Sequence, residues 1–265
     1  MGADRRASDA ATGYGCVSQP GVQRSSGDTI RVASFNIHSG VGMDGVQDLK
    51  RIAQLLKPYD FVGLNEVRQP FVPGLSSQAE QLAAVSEQDW LFAPAERQWW
   101  CDHFGNGVLS RLKIGNWSRQ PLRCTKGKGY RNLIDLEATL DGRSVRIFVT
   151  HIDRGQDREA QLERVIQQFL ALPASTPAIL MGDFNTTADD PLLNPLFMAG
   201  NITDCGSRAS DRSDDRIDWI FARNLECVTA GWVDAGVSDH PLVWAELRFP
   251  DRTAAISSGA GHLTQ

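Results

Sequence analysis

The chain has 265 residues, 42% of them hydrophobic and 22% charged, proportions ordinary for a soluble globular protein of one large domain or two small ones. Its formal net charge of −5 excludes a broad basic surface for nucleic acid, though not a local basic groove. No run reaches the roughly 18 apolar residues that a membrane-spanning helix needs.

In chain order, residues 1–28 come first, rich in Gly, Ser, Asp and Arg. They hold no apolar stretch of the roughly 7–15 residues found in a secretory signal. The expectation is a flexible arm, and a remnant of a longer precursor stays open. "IRVASFN" (30–36) reads as a buried strand. "VQDLKRIAQLLK" (46–57) follows as a helix, with Val46, Leu49, Ile52, Ala53 and Leu56 at helical spacing and Pro58 as its stop. "DFVGLNE" is a second strand, "SSQAEQLAAVSEQ" a helix, and "DWLFAP" and "NGVLSR" are short strands. "NLIDLEATL" and "SVRIFVT" alternate around "DGR", which is a hairpin signal. "DREAQLERVIQQFLAL" is the clearest helix, with Leu162, Val165, Ile166, Phe169 and Leu170 on one stripe. "AILMGD", "RIDWIF", "ECVTAGWV" and "PLVWAELRF" are further strands. Residues 251–265 read as a loose tail. With no repeat and no linker in between, 29–250 reads as one α+β domain of sheets covered by helices.

The five cysteines are scattered, without CxxC or Cys/His zinc spacing. Free thiols in a reducing, cytoplasmic setting are the expectation, with export and one disulfide left open.

Polar residues that could carry chemistry fall at strand ends: Asn36, Glu66, His151, Asp183 and Asp218. In "MGDFN" (181–185), Asp183 and Asn185 leave an apolar strand two residues apart. If the strand geometry persists, both point to one face. That is either a plain turn or half of a site.

In order, the stretches "SFNIHSG", "LNEV", "GNGVLSR", "THID", "GDFN", "RIDWIF" and "SDHP" resemble the endonuclease/exonuclease/phosphatase superfamily, which includes DNase I, exonuclease III, neutral sphingomyelinases and inositol polyphosphate 5-phosphatases. The resemblance runs from about Ile30 to Phe249. It implies a DNase I-like fold: a four-layer α/β/β/α sandwich of two mixed β-sheets with helices outside. It also implies a Mg2+-dependent phosphoric-ester hydrolase, with Mn2+ as a substitute ion.

Carried over by resemblance, Glu66 is the principal metal ligand, with Asn36 and Asp239 at the metal edge. Asp183 positions or deprotonates the attacking water, and Asn185 donates to the phosphate. His240 donates to a non-bridging oxygen, and Asp218 holds its tautomer and favours its charge. His151 donates to the phosphate or the leaving oxygen; the exonuclease III branch typically lacks this residue, and a capping role is its plain alternative. Arg68 and Arg131 sit where relatives place phosphate-contacting arginines, although solvated arginines would look the same. "CTKGKGYR", with Lys126 and Lys128, is the candidate substrate clamp. Trp99 and Trp100 could stack on a base or insert in lipid, but core packing is the first expectation. Turn roles explain His38 and Asp44 equally well. One departure is Asn65, where the family usually has Gln. It puts a supporting contact in doubt, not the ligand.

The expected activity is thus phosphodiester hydrolysis, with nucleic acid favoured over a phospholipid, sphingomyelin-type or small phosphoester substrate. A monomer is expected. A non-catalytic binding module is the remaining alternative, and the presence of Glu66, Asp183 and His240 argues against it.

Overall fold

The structure, a computed structural model, describes residues 14–16, 29–70, 72, 74–96, 103–125, 130–209 and 215–250. Its elements follow in chain order: β1 (Tyr14–Cys16), β2 (Ile30–Asn36), α1 (Leu49–Leu56), β3 (Phe61–Gln69), α2 (Gln78–Ser86), β4 (Asp89–Glu96) and β5 (His103–Ser110). The second half holds β6 (Lys113–Pro121), β7 (Asn132–Leu140), β8 (Arg143–His151), α3 (Arg158–Leu170), β9 (Ala178–Asp183), α4 (Asn194–Met198), β10 (Ile202–Asp204), β11 (Asp218–Arg223), β12 (Glu226–Val233) and β13 (Leu242–Arg248).

The strands form two sheets, ordered β1-β4-β5-β3-β2-β13-β12 and β10-β11-β9-β8-β7-β6. Each contains one parallel pair, β2 with β3 and β8 with β9, and is otherwise antiparallel, so both sheets are mixed. Alternation along the strands builds the layers. Val32 of β2 and Ile179 and Met181 of β9 point between the sheets into a shared core. Ala33 and Phe35 point outward beneath Ile52 and Leu56 of α1 and Leu82 of α2. On the other side Leu180 packs under Leu162, Val165, Ile166 and Phe169 of α3. Each of these side chains larger than alanine contributes about 1.5–3 kcal/mol when fully buried. The result is the α/β/β/α sandwich of the DNase I-like fold.

Several elements differ from the sequence expectation. The first helix begins at Leu49, because Asp48 caps it by accepting from the N–H groups of Lys50 and Arg51. Val46 therefore lies outside the helix, on an exposed loop. The segment expected as a flexible arm contains β1, which pairs antiparallel with β4. The rest of that arm and the tail 251–265 lie outside the described residues. Strand β6 and helix α4 carry no clear sequence signal, β6 because it is a mostly polar edge strand and α4 because it is short. The expected hairpin closes at Asp141 and Gly142, with φ of 48° and 72°, the two left-handed residues of a tight turn. Among the described residues, no helix is long and apolar enough to cross a membrane.

Candidate active site

The strand registers bring the polar residues together. His151, Asp183 and Asp218 are direct neighbours across β8, β9 and β11. Asn36 and Asn65 are neighbours across β2 and β3 in the facing sheet. Asp183 stands on a tight joint. Gly182 has φ of 145°, and a Cβ there would lie 1.8 Å from the carbonyl oxygen of Thr150. Only glycine lets β9 pass this close to β8.

Beyond Asp183 the strand does not continue. Asn185 has φ of 48°, and its N–H donates to Oδ1 of Asp183 at 2.9 Å. This Asx-type turn swings the Asn185 side chain back, so that Nδ2 donates to the carbonyl of Ile152 at 2.9 Å and faces His151 Nε2 at 3.3 Å. The two residues of "GDFN" do address one place, through a left-handed turn rather than a shared strand face.

Asp183 is the hub. Its Oδ2 accepts from Asn36 Nδ2 at 3.0 Å and lies 3.4 Å from His151 Nε2 and 3.7 Å from His240 Nε2. His240 Nδ1 is 2.7 Å from Asp218 Oδ2. Burial, followed by the charge of Asp218, pushes the Asp183 carboxyl up to about 7. Burial pulls the His240 imidazole down, but the hydrogen bond to Asp218 and the charges of Asp218, Asp183 and Asp239 outweigh it and lift the group to about 9. His151 goes the other way: burial first, and then the charges of Arg131, His240 and Arg154, hold it well below the usual imidazole range. His151 is therefore a neutral ring, and its buried Nδ1 has no hydrogen-bond partner among the described residues.

Of the expected metal residues, Asn36 links Glu66 to the hub, and Asp239 adjoins His240 in sequence. Glu66 does not end its strand, as expected, but sits inside β3 at a bulge between Leu64 and Val67, with φ of 58°. The bulge turns its carboxylate toward the Asn36 amide, 3.3 Å away. Asn36 Oδ1 accepts from the His38 N–H at 3.0 Å, which fixes the amide with its nitrogen toward Glu66 and Asp183. One lone pair of that oxygen is thus committed, and only the other is free for an ion. Asp239 is at the exposed rim, 3.3 Å from Ser238 Oγ and 3.6 Å from His38 Nδ1. Among the described residues, Asp183, Asp218 and His240 place donor atoms within 4.8 Å of one another. The short His240–Asp218 contact needs a proton between the two groups, so this trio suits proton sharing better than an ion. A hard divalent cation takes oxygens, commonly one or two carboxylates and water. The half-buried Glu66 carboxylate and the Asp239 carboxylate fit that demand.

Around the rim, Arg68 and Arg131 both lie over the ring of Phe104, at 5.4 and 5.8 Å from its centroid. Arg68 Nε also donates to Ser39 Oγ at 2.8 Å. Asp44 pairs with Arg51 at 2.7 Å and accepts from the Val46 N–H, a turn role away from the hub. Lys126, Lys128, Trp99 and Trp100 lie outside the described residues.

Sequence reasoning missed a buried amide chain behind the hub. Asn65 Oδ1 accepts the Asp183 N–H at 3.0 Å, and its Nδ2 donates to Thr150 O at 3.0 Å and Asn106 Oδ1 at 2.9 Å. Asn106 passes on to Asn132 Oδ1 at 2.9 Å, across to the second sheet. The available signal was an Asn inside each of three apolar strands, "GLNEV", "GNGVL" and "NLIDL".

The sequence model of the Endonuclease/Exonuclease/phosphatase family matches residues 33–240, a span that contains every residue of the hub. The chain belongs to this family. Family members are generally hydrolytic, phosphoesterases among them, and typically use divalent metals. Among solved structures, the endonuclease/exonuclease/phosphatase from Beutenbergia cavernae is 26% identical, with a TM-score of 0.70, covering 83% of this chain and 72% of that one. A family protein from Leptotrichia buccalis is 16% identical, TM-score 0.66, covering 83% and 100%. D. rerio TDP2 complexed with a single-strand DNA product is 18% identical, TM-score 0.64, covering 83% and 99%. No curated protein matches the sequence.

Proposed function

We propose that the chain is a Mg2+-dependent phosphodiesterase that acts on nucleic acid, with Mn2+ able to replace Mg2+. One observation carries the reading: Oδ2 of Asp183 faces both His151 and His240, and Asp218 backs His240 at 2.7 Å. Phosphodiester hydrolysis needs a base for the attacking water and donors for the charge that builds on the phosphate oxygens. Asp183, at about 7, is poised to exchange a proton near neutrality, and it positions or deprotonates the water. His240, kept charged by Asp218, donates from Nε2 to a non-bridging oxygen. Asn185 offers the phosphate the amide hydrogen now directed at His151. His151, neutral and enclosed, supports Asn185 and Asp183, and a donor role toward the leaving oxygen is assigned to it only by family likeness. Glu66, with Asn36 and Asp239, would hold the ion, and Mg2+ when bound neutralises charge on the phosphate oxygens. Arg68, Arg131, Lys126 and Lys128 are the proposed contacts to flanking phosphates. TDP2 with its single-strand DNA product supports the choice of nucleic acid.

A second reading, a phospholipid or small-phosphoester hydrolase, is favoured by four exposed apolar residues. Met43 (71% exposed), Val46 (53%), Val72 (56%) and Leu75 (52%) lie on the loops after β2 and β3. Between the two loops, the Ser39 carbonyl accepts from Gln47 and from Gln78 at the start of α2.

The deciding experiment incubates purified protein and Mg2+ with single- and double-stranded DNA, RNA, sphingomyelin vesicles, phosphoinositides and bis-p-nitrophenyl phosphate. Turnover of a nucleic acid supports the first reading. Turnover confined to a lipid surface supports the second.

A further inference from the structure

Asn185 holds a left-handed conformation, with φ of 48°, just beyond the end of β9. A residue stays in that region only where its surroundings hold it. The holds on the β9 side are its own N–H on Asp183 Oδ1 and its side chain on the Ile152 carbonyl, each at 2.9 Å. The holds on the far side act on Thr186, which is 3% exposed. Thr186 Oγ1 accepts from Arg158 Nη1 at 2.7 Å. The Thr186 carbonyl accepts from Trp219 Nε1 at 2.9 Å, and Trp219 directly follows Asp218. Arg158 is the first residue of α3, and the same Nη1 also donates to Asp190 Oδ2. The other oxygen of Asp190 accepts from the Leu192 N–H at 2.9 Å. One nitrogen thus closes the neck of the loop 186–190, by gripping its first and last residues.

We propose that Arg158 is a positioning residue for Asn185, acting through Thr186 and not on the substrate. Its weight for the reaction rests on the proposed contact between the Asn185 amide and the phosphate. Without the guanidinium, the buried Thr186 hydroxyl loses its donor and the Asp190 carboxylate loses its cation. Both groups then gain by turning toward water. The loop 186–190 opens at its neck. On the far side Asn185 keeps only the Trp219 contact, and a single contact leaves the peptide free to rotate about it. The Asn185 amide then moves from the place where it meets a phosphate oxygen. A displacement of about 1 Å at such a place can cost about 10²-fold in rate. Asp183 keeps Asn65 behind it, and His240 keeps Asp218, so the loss is confined to what Asn185 supplies.

The test measures backbone amide exchange by NMR, in chelator, for the full chain as wild type, Arg158→Ala and Thr186→Val, with Arg146→Ala as the control. Arg146 pairs with Asp135 and Glu137 on the same sheet at an exposure close to that of Arg158. In Arg158→Ala and Thr186→Val the Asn185 N–H should exchange about tenfold faster, while the Asp183 N–H, held by Asn65, changes by less than about twofold. Arg146→Ala should change neither. Thr186→Val removes one hydroxyl at nearly constant shape, so the test stands even if Arg158→Ala does not fold. On bis-p-nitrophenyl phosphate with Mg2+, Arg158→Ala should lower kcat by about 10–10², with KM little changed. Added to Asn185→Ala it should cost almost nothing further, because it acts through that residue. An unchanged rate at Asn185, a rise at Asp183 as large as at Asn185, or losses that multiply in the double variant would overturn the proposal. If the wild type turns over no diester, the proposed function falls, and the exchange rates alone decide whether Arg158 positions Asn185.

Discussion

His240 holds Asp218 at 2.7 Å through Nδ1 and presents Nε2 to Asp183 at 3.7 Å, so one ring links two buried carboxylates. Asp218 orients the ring and sustains its charge, and that leaves Nε2 as a donor on the open side. The arrangement has a pH signature. The folded state lifts His240 to about 9 from an ordinary 6.5, so it favours the charged ring. The resulting stabilisation is complete below about pH 6.5 and is lost as pH rises through about 9. In chelator, the urea midpoint of the wild type should fall between pH 6.5 and 9. Asp218→Asn should flatten that fall. An unchanged slope in Asp218→Asn would break the assigned pairing.

Asp183→Asn and His240→Ala should each lower kcat by about 10²–10⁴, with circular dichroism unchanged, as expected for removal of a positioned acid or base. Because the two groups act together, the double variant should be little worse than either single one. Steady-state rates on one substrate check this, and near wild-type turnover in Asp183→Asn would remove it as the base.

Gly182→Ala should be strongly destabilising, by at least about 3 kcal/mol in urea unfolding. The new Cβ would meet Thr150 O at 1.8 Å, in a backbone conformation that glycine alone adopts readily. The same carbonyl receives Asn65 Nδ2, so relief by shifting β8 would disturb the amide chain behind Asp183. A stability equal to wild type would show that β8 and β9 are not packed as described.

Lys126→Ala with Lys128→Ala separates the substrate classes. If the chain tracks a polyanion, the double variant should show a shallower salt dependence and a higher KM on long DNA or RNA. Its hydrolysis of bis-p-nitrophenyl phosphate should hardly change, because that ester has no flanking phosphates. An unchanged salt slope on DNA and RNA would move the reading toward the lipid or small-phosphoester alternative.

The layered fold was legible only through the resemblance that the seven stretches carry in the family's order, and the hub candidates Asn36, His151, Asp183 and Asp218 stood out as polar residues at the ends of apolar strands. Register then aligns His151, Asp183 and Asp218, a relation between strands that no single segment displays. Other features rest on backbone geometry that composition does not reveal. The bulge that turns Glu66 and the left-handed turn at Asn185 are two of these. Val46 fits the helical stripe in sequence, yet the Asp48 cap starts the helix after it. Asn65, Asn106 and Asn132 read as interruptions of apolar strands until the sheets face each other and the amides pair.

The central claim is that this chain hydrolyses phosphodiesters with a divalent cation held beside Glu66. It is tested most directly by the rate of bis-p-nitrophenyl phosphate hydrolysis as Mg2+ is removed by excess chelator and then restored. The expected result is a fall to the uncatalysed rate and full recovery with Mg2+ or Mn2+, and a weakened response to Mg2+ in Glu66→Gln. An undiminished rate in excess chelator would contradict it.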